Sequence, residues 1–229
     1  MKIGFICDSP LLPTGYAKVA RNLAIHLQGL GNDISFCPIQ YMGSPLKLDY
    51  GVVYEGDEHR SVLRYLDSVR PDAIVHIRDL FVMSPRYRGG EENASWLPAA
   101  CKSRNIKFIS YSPVHSSPLS YEEIRIAQVL DYNITMTRWG RDLMGTQGVP
   151  QEQVDYLYHG VDRGVYKPLS TNDIQKSQLR EELGLPADKK IVGSVAVNYD
   201  FRKQLPLTMK AFQLLLKAVP EAHLVVWTE

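Results

Sequence analysis

Four stretches of the chain carry residue types that could do chemistry. Thr14-Gly15-Tyr16 follows a short apolar run, Ile3 to Cys7, and precedes a helical pattern. A helix that starts just past a strand presents amide N–H groups and the positive end of its dipole, which suits an anion such as phosphate. Thr14 can cap that helix, and Gly15 leaves the backbone open to a ligand. Arg202-Lys203 follows a later strand and precedes another helix. Cations there oppose the helix dipole, a cost that holding an anion would offset. His115 lies in a loop at Tyr111-x-Pro113-Val114-His115, and histidine is the side chain that titrates near neutrality. The fourth stretch is His159-Gly160-Val161-Asp162-x4-Lys167-Pro168.

Each of these has a plainer reading. Single glycines in strand–turn–helix openings commonly serve only the backbone, and Arg202-Lys203 alone would be a solvated pair. His26, His76 and His223 fall within expected elements and read as packing or surface residues. The dinucleotide fingerprint G-x-G-x-x-G is absent, since Gly15 stands alone, which argues against NAD or FAD. No D-x-D and no His/Cys/Asp cluster at ligand spacing occurs, so no metal and no cofactor are expected.

The elements that must position these residues alternate between strand and helix. Val19, Leu23 and Leu27 recur every fourth residue after Gly15, with Ala20 and Ala24 beside them, which predicts a helix with one face on a sheet. Strands are expected at Ile34 to Cys37, Ala73 to Ile77, Lys107 to Tyr111, Asn133 to Met136 and Val154 to Tyr158, with a short hairpin around Val52 to Tyr54. Helices are expected around Val62 to Val69, Trp96 to Ser103, Ser120 to Leu130 and Trp139 to Gly145. Ser120-x-x-Glu123 is a capping box, and Phe81 to Asn93 reads as a loop. This alternation predicts an α/β fold with a doubly wound, Rossmann-like parallel sheet of six or seven strands.

After Lys167-Pro168 a polar linker leads to a helix, Ile174 to Leu183. One further βαβ unit follows: Ile191 to Val197, Leu205 to Ala218 and Leu224 to Trp227. The expected division is 1–166 as a first domain and 167–229 as a linker and partial second domain. One βαβ unit has too few strands to bury its faces. The second domain is therefore expected to be incomplete, with apolar strand surface around Leu224 to Trp227 that favours self-association.

Composition narrows the function classes. Across 229 residues, 26 basic residues meet 25 acidic ones, a net charge of +1 that gives no footprint for nucleic acid or an anionic membrane. Hydrophobic residues make up 45%, enough for a sizeable core, yet no run approaches a membrane span. Cys7, Cys37 and Cys101 are far apart in apolar segments, which predicts buried thiols in a reducing, cytoplasmic setting.

Read together, the four stretches resemble the nucleotide-sugar-dependent glycosyltransferases of the B-type fold. They are most similar to the large retaining family (family 4, group 1 type) that includes sucrose- and glycogen-synthase-like enzymes. The resemblance spans essentially the whole chain, and Gly160-Val161-Asp162-x4-Lys167-Pro168 is its most specific part. It implies two Rossmann-like domains facing across a cleft, with the acceptor mainly on the first and the sugar nucleotide mainly on the second. It implies transfer of a hexose-like sugar from a UDP- or GDP-sugar to a carbohydrate or other hydroxyl acceptor, with retention. The Thr14-Gly15-Tyr16 loop would meet the donor's diphosphate or the acceptor. Arg202 and Lys203 would hold the diphosphate, His115 would lie near the reacting sugar, and Gly160 and Asp162 would belong to the interdomain hinge.

The chain departs from the family pattern in two places. Where the family often has an arginine five residues before the lysine, Asn198 stands, so Asn198 joins the donor-binding candidates and Arg202 would substitute. The family's paired glutamates, deep in the second domain, have no counterpart before Glu229. The donor pocket is thus expected to be incomplete on residues 1–229, and that fragment alone to be inactive. A non-catalytic sugar- or nucleotide-binding subunit of a larger complex is the alternative, and a dehydrogenase comes third.

Overall fold

The N-terminal apolar run becomes β1 (Lys2–Ile6), in which every residue after Lys2 is buried. The computed structural model of the protein describes residues 1–56, 59–83, 96–168, 173–197 and 203–228. The chain divides into two compact units, Met1–Val161 and Asp162–Glu229.

In the first unit β1 leads through α1 (Gly15–Gly29) to β2 (Asp33–Phe36) and the hairpin of β3 (Leu46–Leu48) and β4 (Gly51–Val53). α2 (His59–Val69) then returns the chain to β5 (Ala73–His76). It continues through α3 (Leu97–Lys102), β6 (Lys107–Ser112), α4 (Tyr121–Val129), β7 (Tyr132–Thr135), α5 (Arg138–Thr146) and β8 (Val154–Tyr156). The strands form one sheet in the order β3-β4-β2-β1-β5-β6-β7-β8. All its pairings are parallel except β3 with β4. The doubly wound α/β expectation therefore holds. The sheet has eight strands rather than six or seven because the hairpin expected near Val52 contributes two.

Successive residues of a strand point to opposite faces, and β1 feeds two cores. Phe5 stacks on Phe36, with ring centroids 5.2 Å apart, on the face that α1 covers with Ala20 and Ala24. The alanines are the deepest residues of α1, while Val19, Leu23 and Leu27 are half-buried around them. Small side chains let the helix backbone lie close to the sheet, so the leucine periodicity marks the rim of the contact. Ile6 joins the opposite core with Ile74, Phe108, Leu66 of α2 and Leu97 of α3. There the Tyr65 hydroxyl pairs with Ser35 Oγ at 2.7 Å, and Gly4 makes room for it. A Cβ on Gly4 would collide with Tyr65 Oη and come within 2.7 Å of Ile74 Cδ1.

In the second unit α6 (Asp173–Glu182) is followed by β9 (Lys190–Val195), α7 (Leu205–Ala218) and β10 (Ala222–Trp227). β9 and β10 pair in parallel, from Ala222 opposite Lys190 to Trp227 opposite Val195. Val195, Leu214 and Trp227 are exposed. Among the described residues no helix is long and apolar enough to cross a membrane.

Candidate functional site

The winding of the first sheet reverses between β1 and β5. From β1 the chain builds outward through β2 and β4, then crosses back to β5 and builds the other way through β6, β7 and β8. In open α/β sheets ligands bind at such a reversal, beyond the carboxyl ends of the strands. Beyond β1 stand Asp8 and the loop to Thr14; beyond β5 stand Arg78 and Asp79; beyond β6 stands His115.

The first loop is braced from within. Leu12 N–H donates to Ser9 O at 3.0 Å, and Arg21 of α1 reaches back to donate to Pro10 O at 2.9 Å. Thr14 is the N-cap expected of it, its Oγ1 accepting from Ala17 N–H at 3.2 Å. The same hydroxyl donates to Asp8 Oδ2 at 2.7 Å. Asp8 Oδ1 lies 3.9 Å from Arg78 Nε, and both side chains are largely buried. In the first turn of the helix, Tyr16 Oη donates to Asp79 Oδ2 at 2.8 Å. Burial first, and then that bond to Asp79, push the Tyr16 phenol above its usual range, so Tyr16 remains a donor.

Thr14 and Tyr16 thus turn their hydroxyls to carboxylates. Carboxylates accept hydrogen bonds and repel phosphate, so these side chains present a surface suited to sugar hydroxyls. What remains for an anion is the backbone, because first-turn amides of a helix have no intrahelical acceptor. Among the described residues a Cβ on Gly15 would meet nothing within 4 Å, so no described neighbour crowds that position.

His115 sits on the next loop along the edge. Its ring stands edge-on to Phe81, centroids 5.5 Å apart, in the short 3-10 turn Leu80–Met83 that follows Asp79. Its Nδ1 is 3.6 Å from Glu123 Oε1. The loop is held at both ends. Gly140 packs so tightly on Val114 that a Cβ would come within 2.8 Å of Val114 Cγ2, and Leu119 N–H donates to Gln147 Oε1 at 3.0 Å.

The other candidates fall later in the chain. Asp162 serves a turn, its Oδ1 accepting from Gly164 N–H at 2.8 Å and its carbonyl from Tyr166 N–H at 2.7 Å. Gly160 lies in the segment between β8 and that turn, with open space where a Cβ would go. His159 packs edge-on to Tyr111, whose hydroxyl donates to Leu157 O at 2.9 Å. Lys203 is exposed one residue before Gln204, the left-handed N-cap of α7 (φ 49°), which makes no side-chain cap bond. Asn198 and Arg202 fall outside the described residues.

Among the histidines, His76 is the unusual one. It is fully buried on β5 beside Phe108, and neither ring nitrogen has a hydrogen-bond partner among the described residues. Burial, seconded by the charge of Arg78, holds its pKa down at about 3. The three cysteines are buried and free. Burial pushes Cys101 up to about 12 and Cys7 and Cys37 higher still, so none is poised as a nucleophile.

Sequence reasoning did not select Asp8, Arg78, Asp79 or Glu123 as site residues. The usable signal was position: Asp8 and Arg78 are charged residues two positions past the ends of apolar strands, with Asp79 next.

No family model and no curated protein sequence matches the chain. Among solved structures it is similar to HepE of Anabaena in complex with UDP and glucose, at a TM-score of 0.56 and 14% identity over 99% of this chain and 69% of that one. A glycosyltransferase from Rickettsia africae gives a TM-score of 0.60 at 11% identity over 99% and 68% of the two chains. The UDP-N-acetylglucosamine 2-epimerase from Rickettsia bellii gives 0.55 at 18% over 100% and 62%. At these identities the likeness establishes the fold: a Rossmann-like architecture that this chain shares with B-type glycosyltransferases and UDP-sugar epimerases.

Proposed function

We propose that the protein transfers a sugar from a UDP- or GDP-sugar to a hydroxyl acceptor, with retention at the anomeric carbon. The observation that carries this reading is that Asp8, Asp79 and His115 stand on the loops beyond the carboxyl ends of β1, β5 and β6, with Tyr16 of α1 bonded to Asp79. They stand at the reversal of a sheet whose structural neighbours include one bound to UDP and glucose.

In this reading the acceptor lies over the first unit. Asp8 and Asp79 keep lone pairs beyond those used by Thr14 and Tyr16, and these accept hydrogen bonds from the acceptor's hydroxyls. The open backbone at Gly15 meets the donor's diphosphate, and His115 lies beside the reacting sugar. Transfer expels a nucleoside diphosphate whose growing charge needs cations. By the sequence resemblance, Lys203 and Arg202 are the candidate cations and Asn198 a neutral donor.

The experiment is to incubate the full-length protein with UDP- and GDP-sugars and a panel of carbohydrate acceptors, and to identify the product by NMR. A new glycosidic bond with the donor's anomeric configuration is expected. Epimerised sugar nucleotide without transfer, the chemistry named for the Rickettsia bellii neighbour, would overturn the reading.

A further inference from the structure

The capping box of α4 accounts for only half of Glu123. Its Oε2 accepts from Ser120 N–H at 3.0 Å and Ser120 Oγ at 2.6 Å, while Ser120 Oγ accepts from Glu123 N–H at 3.3 Å. Its other oxygen, Oε1, is buried without a hydrogen-bond partner among the described residues. A capping glutamate normally turns its spare oxygen to water, because an unsatisfied buried acceptor costs free energy. Here the side chain is 4% exposed, and Oε1 faces His115 Nδ1 at 3.6 Å.

The His115 ring is 42% exposed, and Phe81 stands against it. A carboxylate beside Nδ1 favours the tautomer that carries its proton there, which leaves Nε2, across the ring, as a lone pair. The separation is long for a hydrogen bond, as such contacts often are before substrate tightens a site. The loop between the two residues is tied down through Gly140 and Gln147, so a small ring movement closes the gap without refolding.

We propose that Glu123 is a positioning residue that holds His115 in its Nδ1–H tautomer and aims Nε2 at the reacting sugar. The contact stands on geometry alone; only its use in catalysis rests on the sugar-transfer reading. Ser120 fixes Glu123 from one side, so helix cap and histidine orientation share one carboxylate.

Two variants separate this role from capping. In Glu123→Gln the amide oxygen stays with the Ser120 N–H, which needs an acceptor, and the NH2 turns to Nδ1. Ser120→Ala weakens the cap but leaves the carboxylate opposite His115. The readout is the His115 tautomer by 15N NMR of the intact chain at about pH 8, where an ordinary histidine is neutral. The Nδ1–H form should dominate in the parent and in Ser120→Ala. In Glu123→Gln the ratio should shift by about tenfold toward Nε2–H, the scale of one charge-assisted hydrogen bond. An unchanged ratio in folded Glu123→Gln would overturn the proposal. If the tautomer shifts while transfer by the full-length protein does not slow, the contact stands and the role of His115 in transfer fails.

Discussion

Tyr16 Oη donates to Asp79 Oδ2 at 2.8 Å, joining residues 63 apart in sequence. The bond links the first turn of α1 to the end of β5, across the point where the sheet reverses its winding. It engages one carboxylate oxygen of Asp79, Oδ2. Together with Thr14 on Asp8, it sets the polarity of this edge by hydroxyls that donate and carboxylates that accept.

Gly15 should prove a functional glycine rather than a structural one. A Cβ there meets no atom within 4 Å, and the residue opens a helix, where alanine is the better former. Gly15→Ala should leave stability within about 0.5 kcal/mol of the parent. Its KM for the nucleotide sugar should nonetheless rise severalfold, as a methyl group now covers the backbone. A thermal melt and a donor titration check both halves; an unchanged KM would remove Gly15 from the site.

His76 should make the fold acid-sensitive. Above about pH 6.5 the imidazole is neutral in both folded and unfolded chains and contributes no pH dependence. As pH falls below that, the unfolded chain takes up a proton that the folded chain refuses until about pH 3. Stability should therefore fall across this window, by up to about 1.4 kcal/mol per pH unit from this group. Urea unfolding of His76→Leu between these limits should show a shallower acid slope. An identical slope in parent and variant would refute the assignment.

Gly140→Ala should disturb the His115 loop from behind. The added methyl would sit 2.8 Å from Val114 Cγ2 and 3.1 Å from Thr135 Cβ. Overpacking of this kind costs about 1–3 kcal/mol. Transfer activity should fall together with the melting temperature, because the displaced residue is the neighbour of His115. A variant with parental stability would mean that the loop yields freely.

Lys203→Ala should behave oppositely. Lys203 is exposed, so the melting temperature should hold while kcat falls about tenfold to a few hundredfold, the worth of one hydrogen bond to a charged leaving group. Steady-state kinetics beside a melt decide it. A kcat/KM for the donor within twofold of the parent would exclude the role.

The fold was legible where local pattern decides it. The Ser120/Glu123 box formed as written, as did the helix that Thr14 caps and the strand–helix alternation. The site was legible only in its local parts. Tyr16–Asp79 and Asp8–Arg78 depend on which strands become neighbours, and spacing along the chain does not state that β1 lies beside β5. Glu123 read fully as a cap, and nothing local revealed that its second oxygen faces a histidine eight residues back. Ala20 and Ala24 hid the depth of α1 for a related reason: close approach favours small side chains, which carry a weak hydrophobic signal.

If the acceptor is held at the sheet reversal, Asp79 is the residue whose loss should show it most directly. Asp79→Asn keeps the shape and an acceptor for Tyr16 but removes the charge that strengthens hydrogen bonds from hydroxyls. Measured on the full-length protein with a saturating nucleotide sugar, kcat/KM for the acceptor should fall about tenfold or more, the scale of one hydrogen bond to a charged group. The KM for the donor should stay near its parental value. An acceptor kcat/KM within twofold of the parent, in a variant of unchanged melting temperature, would contradict the account.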